Sequence, residues 1–260
     1  MSSTFSAWAR IMLGLGLVAE GVSFLKRQKD GAAPPNGGRT PALLGLGRAG
    51  AGPEARAMAA AGGVITSSRL VSVGNIDQRV SHIVDFIRKG SLKPVIREKA
   101  LAVLSRKCGP DGERIHCIKE KDSTAEAIAL FKAVKDPNSE LSVRYTRDHV
   151  EVDQFTAADK TLKLGAEDCD GMCIFLGAML RTTGFPLRVR AIATQDPATG
   201  KTGWSHVYLR VGLPPMAPTR WMALDLSVDH PAGWEVPGAE QVASTGRESD
   251  IVKAVRDWDV

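Results

Sequence analysis

The sequence predicts an α+β fold in which helices come first and an antiparallel sheet follows. Apolar residues recur at helical spacing from Ile76 onward. After Pro186, three runs have the composition of β-strands, and segments rich in turn residues separate them. Hydrophobic residues make up 43% of the chain and charged residues 24%, which fits a protein with a packed core. Helices followed by a meander of strands is an α+β order.

The composition divides the chain near residue 64. Residues 1–63 hold seven Lys and Arg against three Asp and Glu, so they carry most of the net charge of +5. Within them, residues 31–63 are dominated by Gly, Ala and Pro, which predicts an extended arm that a partner orders. We expect one domain over residues 64–240 and a C-terminal tail with a short helix over 241–260. The domain lacks a basic stripe interleaved with aromatic residues, which argues against specific nucleic-acid binding.

An apolar run, IMLGLGLVA, occupies residues 11–19 and is interrupted by Glu20. A membrane span needs about 20 mostly apolar residues, so this run is too short. Leu17-Val18-Ala19 is also a poor match to a signal-peptide cleavage site. The sequence therefore favours a short helix that docks on a partner or a neighbouring copy. Membrane contact by residues 8–25 is the disfavoured alternative.

Periodicity predicts three helices and an extended segment in the first half of the domain. The apolar positions of the first two helices are Ile76, Val80, Ile83, Val84 and Ile87, then Leu92, Ile96, Val103 and Leu104. Gly109-Pro110 lies beyond the second helix. Ser123 with Glu126 three residues later predicts a capping box that opens the third helix. Residues 141–152, LSVRYTRDHVEV, alternate and predict a strand or an extended segment.

A fourth helix begins near Cys169 and runs to about Arg181, with Gly184 and Pro186 beyond its end. The three strand-like runs that follow are LRVRAIAT (187–194), WSHVYLRV (204–211) and RWMALDLS (220–227).

Three residues on these elements have the chemistry of thiol catalysis. A helix start favours a thiolate at Cys169, because partial positive charge and free N–H groups lie there. A nucleophilic thiol also needs a base and a group that orients the base. His206 and Asp225 lie on successive strands, and we expect Asp225 to accept a hydrogen bond from Nδ1–H of His206. Taken singly, each residue has a structural alternative: an inert core cysteine, a packed histidine and a turn-capping aspartate.

Neighbouring residues are candidates for a substrate cleft. Asp168 and Asp170 flank the cysteine, and as acids they oppose thiolate formation by like-charge repulsion. Trp204, two residues before His206, either walls the cleft or fills the core. We predict no metal at this site.

Six short motifs extend the pattern along the chain. They are Tyr145-Thr146-Arg147-Asp148, Thr161-Leu162, Glu167-Asp168-Cys169-Asp170-Gly171, Gly184-Phe185-Pro186, His206-Val207-Tyr208 and Trp221-Met222-Ala223-Leu224-Asp225. Together they resemble the transglutaminase-like superfamily, and more narrowly a phage-encoded branch with YxxD, TL-turn, GDCDD-like, G(I/F)P, HVY and W..LD motifs. The resemblance covers about residues 76–235. Glu167 replaces the usual Gly, and Gly171 replaces the second Asp.

The resemblance implies a papain-like core, with the nucleophile helix packed on an antiparallel sheet and a helical N-terminal lobe. It implies a cysteine hydrolase or acyl-transfer enzyme that acts on peptide, isopeptide or cell-wall peptide amides through Cys169, His206 and Asp225, without a cofactor. It also implies a phage virion protein, whose residues 1–63 would contact other virion subunits. The alternative is a structural or assembly protein of the particle that uses the same fold.

The other cysteines carry weaker signals. Four cysteines in 260 residues do not indicate a disulfide-stapled fold, so free thiols are the expectation. Cys108, His116 and Cys117 could hold zinc, but a fourth ligand is missing. Two free thiols or one disulfide in a surface loop are favoured there. Cys173, one helical turn after Cys169, is expected to pack in the core rather than act as a resolving thiol.

Overall fold

The structure is a computed structural model that describes residues 68–71, 75–108, 115–146, 153–196 and 199–260. All of these residues belong to one compact unit, Pro53–Val260. The arm and the docking helix predicted within residues 1–63 lie outside the described residues. In the part of the chain that is described, no helix is both long enough and apolar enough to cross a membrane.

The helices of the described part include all four that the periodicity predicts. They are α1 (Ile76–Ser91), α2 (Pro94–Leu104), α3 (Ser123–Lys135), α4 (Ala158–Leu164), α5 (Cys169–Thr182) and α6 (Ala239–Thr245). The predicted capping box of α3 is wrong, because the N-cap is Asp122, whose carboxylate accepts the Ala125 N–H at 2.9 Å. Thr161-Leu162 lies within α4 and does not form a turn.

The strands form one four-stranded antiparallel sheet and three small pairs. They are β1 (Ser68–Val71), β2 (Lys107–Cys108), β3 (Ile115–His116), β4 (Arg144–Tyr145), β5 (Asp153–Thr156), β6 (Ala166–Glu167), β7 (Leu187–Gln195), β8 (Thr202–Leu213), β9 (Arg220–Leu224) and β10 (Val252–Asp259). The main sheet has the order β10-β7-β8-β9. The pairs are β1-β5 and β2-β3, both antiparallel, and β4-β6, which is parallel. The fold is therefore α+β, as predicted.

One expectation, about the C-terminal end of the chain, is wrong. The C-terminal tail predicted for residues 241–260 is largely a strand, because β10 pairs antiparallel with β7 along most of its length. Its side chains alternate between the two faces of the sheet, which is a strand pattern. The short helix is present but begins at Ala239. Of the strand predicted over residues 141–152, the described part contains only the two residues of β4.

Helix α5 lies at the centre of the core. All its residues from Asp170 to Leu180 are buried. It contacts α1, α2, α3 and α4 as well as β7 and β8. Glycines allow α1 to approach closely: a Cβ at Gly177 would lie 2.8 Å from Cδ1 of Ile87, and one at Gly90 would lie 2.9 Å from Cβ of Ala178. This packing fixes where α5 begins.

A buried ionic cluster ties β7, β8 and β10 together. Arg190, whose side chain is 1% exposed, donates from Nε to Asp257 at 2.7 Å and from Nη1 to Glu240 at 2.6 Å. Arg210 pairs with Glu240 at 2.7 Å, and the Tyr208 hydroxyl donates to Glu235 at 2.5 Å. Because a buried guanidinium needs partners for all its donors, this cluster fixes the register of β10 on the sheet.

We expect Arg190→Met to lower the free energy of unfolding by about 3 kcal/mol, because partly buried carboxylates lose their cation. Arg188→Met is the matched control on the same strand. Arg188 is 35% exposed and pairs with Asp259, which is 79% exposed, so its replacement should cost less than about 1 kcal/mol. Urea unfolding of both variants measures the difference. Equal losses would contradict the role given to the cluster.

Candidate active site

Cys169 is the first residue of α5, as predicted. Asp168 is the N-cap, and its carboxylate accepts the Gly171 N–H at 2.9 Å. This cap orients the first turn and leaves the Cys169 side chain half-buried at the helix start. The thiol donates to Oδ1 of Asp170 at 3.7 Å.

His206 and Asp225 form a hydrogen-bonded pair beside this helix start. Nε2 of His206 lies 2.6 Å from Oδ2 of Asp225. The other oxygen, Oδ1, accepts from the Ser227 N–H at 3.0 Å and from the Ser227 hydroxyl at 2.7 Å. The pair forms as predicted, but the prediction that Asp225 contacts Nδ1 is wrong. Asp225 directly follows β9 and contacts Nε2 instead. Nδ1 is therefore the ring nitrogen left for a reacting group.

Cys169 and His206 line the same cavity, whose volume is about 50 Å³. A second cavity of about 10 Å³ is lined by both Cys169 and Asp225. The three residues that the sequence proposed as a triad thus lie around one location, where α5 meets β8 and the end of β9. The arrangement has the parts that nucleophilic thiol chemistry needs: a sulfur, an imidazole and an orienting carboxylate.

The thiol is electrostatically unfavourable as an anion. Burial raises the pKa of Cys169 well above its ordinary value, and the charges of Asp170, Asp168 and Asp225 raise it further. A backbone hydrogen bond from Val207 acts in the opposite direction but is weaker. The resting state is therefore a neutral thiol near pH 7, and catalysis would need the base to remove its proton.

The imidazole and the carboxylate stabilise each other's charged forms. Burial lowers the pKa of His206, but the charge and hydrogen bond of Asp225, with the charge of Asp170, raise it more, so the pKa lies above its usual value. Burial raises the pKa of Asp225, yet His206 and the two hydrogen bonds from Ser227 hold it below its usual range. Asp225 thus stays ionised and can support an imidazolium.

Of the residues predicted to line a substrate cleft, two line the cavity and one does not. Trp204 and Asp170 line the cavity with Cys169 and His206. Asp168 serves as the helix cap. Arg79 of α1, which sequence reasoning missed, also lines the cavity and pairs with Asp170 at 3.7 Å. The signal in the sequence was a charged residue next to the apolar positions of α1.

Ser227 is the second residue that sequence reasoning missed. It lies two positions after Asp225, and its hydrogen bonds hold the carboxylate toward the histidine. A serine two residues after an aspartate is a common local turn arrangement, and this spacing was the signal in the sequence.

Glu167 and Gly171 lie against each other. Glu167 is buried, and a Cβ at Gly171 would lie 2.5 Å from its Oε2 and 2.8 Å from its Cβ. Glu167 therefore fills the space in which a side chain at position 171 would stand. The side chains that positions 167 and 171 can hold are therefore sterically coupled.

Two possible metal positions can be assessed. Asp168, Cys169 and Asp170 offer ligand atoms within 4.8 Å of one another, but the first carboxylate caps α5 and the last pairs with Arg79, so we assign no metal there. Cys108 and Cys117 form a disulfide, which is one of the two states favoured for this loop, and it leaves no thiolates for zinc. Cys173 is a buried free thiol, as core packing predicts.

Comparison with known proteins gives no match, either to a family model or to a curated protein.

We expect Gly171→Ala to lower the free energy of unfolding by about 1–3 kcal/mol, because the methyl group overlaps Glu167. In a Glu167→Gly background the same change should be neutral or stabilising, since alanine is the better helix former. Thermal or urea unfolding of the four proteins gives the coupling free energy.

Gly203→Ala is the control for this cycle, because nothing lies within 4 Å of the added Cβ. It should change stability by less than about 0.5 kcal/mol. A Gly171→Ala effect that is the same with Glu167 and with Gly at position 167 would refute the steric coupling of the two positions.

Proposed function

We propose that this protein is a cysteine hydrolase or acyl-transfer enzyme of the transglutaminase-like type, acting on a peptide or isopeptide amide. The observation that carries the proposal is the 2.6 Å contact between Nε2 of His206 and Asp225, beside a cavity that His206 shares with Cys169. This places a base with a fixed orientation next to a half-buried thiol at a helix start.

In this mechanism His206 accepts the thiol proton through Nδ1 as the sulfur of Cys169 attacks the amide carbonyl carbon. Asp225 stabilises the imidazolium that forms, consistent with the raised pKa of His206. The imidazolium then protonates the departing amine, which leaves a thioester on Cys169. Attack by water or by an amine releases the acyl group and restores the thiol. The backbone N–H groups at the start of α5 provide electrostatic stabilisation of the oxyanion.

The order of elements supports the family assignment within this proposal. A helix with Cys at its start is followed by antiparallel strands that bear His and then Asp, over the same residues, 76–235, that carry the sequence motifs. A papain-like core and a virion location, with residues 1–63 contacting other virion subunits, belong to the same proposal.

A second candidate is an assembly protein of a phage particle whose triad is weak or inactive. The observation in its favour is the environment of Cys169, where burial and three carboxylates raise the thiol pKa. The cavity of about 50 Å³ is also small for a peptide side chain. One protein can have both an enzymatic and an assembly function. The reactivity of the Cys169 thiol tests the enzymatic function directly.

We expect iodoacetamide at neutral pH to modify Cys169 selectively, since Cys173 is buried and the other two cysteines form a disulfide. His206→Ala should slow this labelling by about a hundredfold, the low end for loss of a positioned base. Peptide mass mapping with timed quenching gives the rate at each cysteine.

The matched control is His230→Ala, because His230 stacks on Trp234 at 4.0 Å and is not among the residues lining the two cavities at Cys169. Iodoacetamide should modify Cys169 of this variant at the wild-type rate. Labelling that is equally slow in the wild type and in His206→Ala would favour the assembly protein.

A further inference from the structure

The ion pair between α1 and α5 is the feature of this site that the triad does not use. Arg79 is the only Lys or Arg among the described residues that line the cavity with Cys169 and His206. Its Nη2 lies 3.7 Å from Oδ2 of Asp170, and its side chain is 24% exposed, against 8% for Asp170. It reaches the site from α1, not from the helix that bears the nucleophile.

Asp170 connects this cation to the nucleophile. One carboxylate oxygen, Oδ2, faces Arg79, and the other, Oδ1, accepts the Cys169 thiol at 3.7 Å. The three side chains therefore form a chain from the guanidinium through the carboxylate to the sulfur. Removing the charge of either Arg79 or Asp170 changes the free energy of the Cys169 thiolate, because the groups are close and partly excluded from water.

We propose that Asp170 and Arg79 together set the ionisation of the Cys169 nucleophile. Asp170 holds the proton on the sulfur in the resting site, and Arg79 is a positioning residue that limits this effect by pairing with Asp170. The inference rests on the proposed function, since it concerns the same thiol.

Several other groups act on this thiol: the carboxylates among them oppose its ionisation, whereas the Val207 backbone hydrogen bond favours it. Asp168 precedes it on the same helix start, and Asp225 approaches from the end of β9. His206 lies on β8, and the neutral thiol of Cys173 lies one turn along α5. Arg79 is the one permanent cation among the described residues that line the cavity. The pair that it forms with Asp170 is therefore where the thiol can be made more reactive or less reactive without changing the triad.

The pair also couples the nucleophile to the position of α1. The first turn of α1 is fixed to β10, because Asp77 accepts from Arg256 at 2.8 Å and from Nε1 of Trp258 at 3.1 Å. Arg79 is two residues further along the same helix. A shift of this turn would separate Arg79 from Asp170 and leave the carboxylate to act fully on the sulfur.

The test is the pH dependence of alkylation of Cys169 by iodoacetamide in the full chain. Asp170→Asn should move the midpoint of the rate profile to lower pH by about one unit, because a negative charge beside the sulfur is removed. At pH 7 the rate should rise about threefold, since the gain in thiolate is partly offset by its lower nucleophilicity. Arg79→Gln should move the midpoint to higher pH and slow labelling.

Arg79→Lys is the conservative variant, which keeps the positive charge and should label at a rate close to that of the wild type. Asp85→Asn is the matched control for loss of an acid, because Asp85 pairs with Lys89 on the exposed side of α1. It should leave the midpoint unchanged. If Asp170→Asn does not fold, the difference in midpoint between Arg79→Gln and Arg79→Lys tests the inference.

Midpoints that do not move in Asp170→Asn and Arg79→Gln would overturn this inference. If His206→Ala still slows labelling in that case, the proposed function stands without this inference. If neither His206→Ala nor these variants change the rate, the proposed function itself fails.

Discussion

The burial of α5 is the constraint on which the rest of the structure depends. This helix contacts four other helices and the main sheet, and its residues from Asp170 to Leu180 are buried. Because Gly177 and Gly90 allow α1 to pack tightly against it, the helix has little freedom to slide or turn. Its first residue, Cys169, is consequently held beside β8 and the end of β9, where His206 and Asp225 stand.

The sequence predicted the parts of the fold that depend on local patterns. Helical periodicity predicts α1, α2 and α5, and strand-like composition predicts β7, β8 and β9, because each of these elements buries one face or all of its length. The missed features depend on contacts between distant residues. Strand β10 carries charges that are satisfied only when Asp257 meets Arg190 across the sheet. The role of Arg79 and the use of Nε2 by His206 are likewise set by tertiary packing.

The site combines a well-oriented base with a poorly ionised nucleophile. Asp225 and Ser227 hold the imidazole in position and favour its protonated form. The acids next to Cys169 oppose the thiolate, and the positive end of α5 and the Val207 backbone only partly offset them. Such a thiol forms little thiolate without its base, and the thiolate is the reactive form. Reaction then depends on proton transfer to His206 at the moment of attack.

The separation of the Cys169 sulfur from Nδ1 of His206 tests the central claim most directly. A crystal structure of the full chain at neutral pH would measure it, together with the contact between Nε2 and Asp225. The account predicts a sulfur–nitrogen distance within about 4 Å, the looser range seen for a nucleophile and its base without substrate. An imidazole that turns away from the helix start, with Nδ1 bonded elsewhere and the sulfur enclosed by apolar side chains, would contradict it.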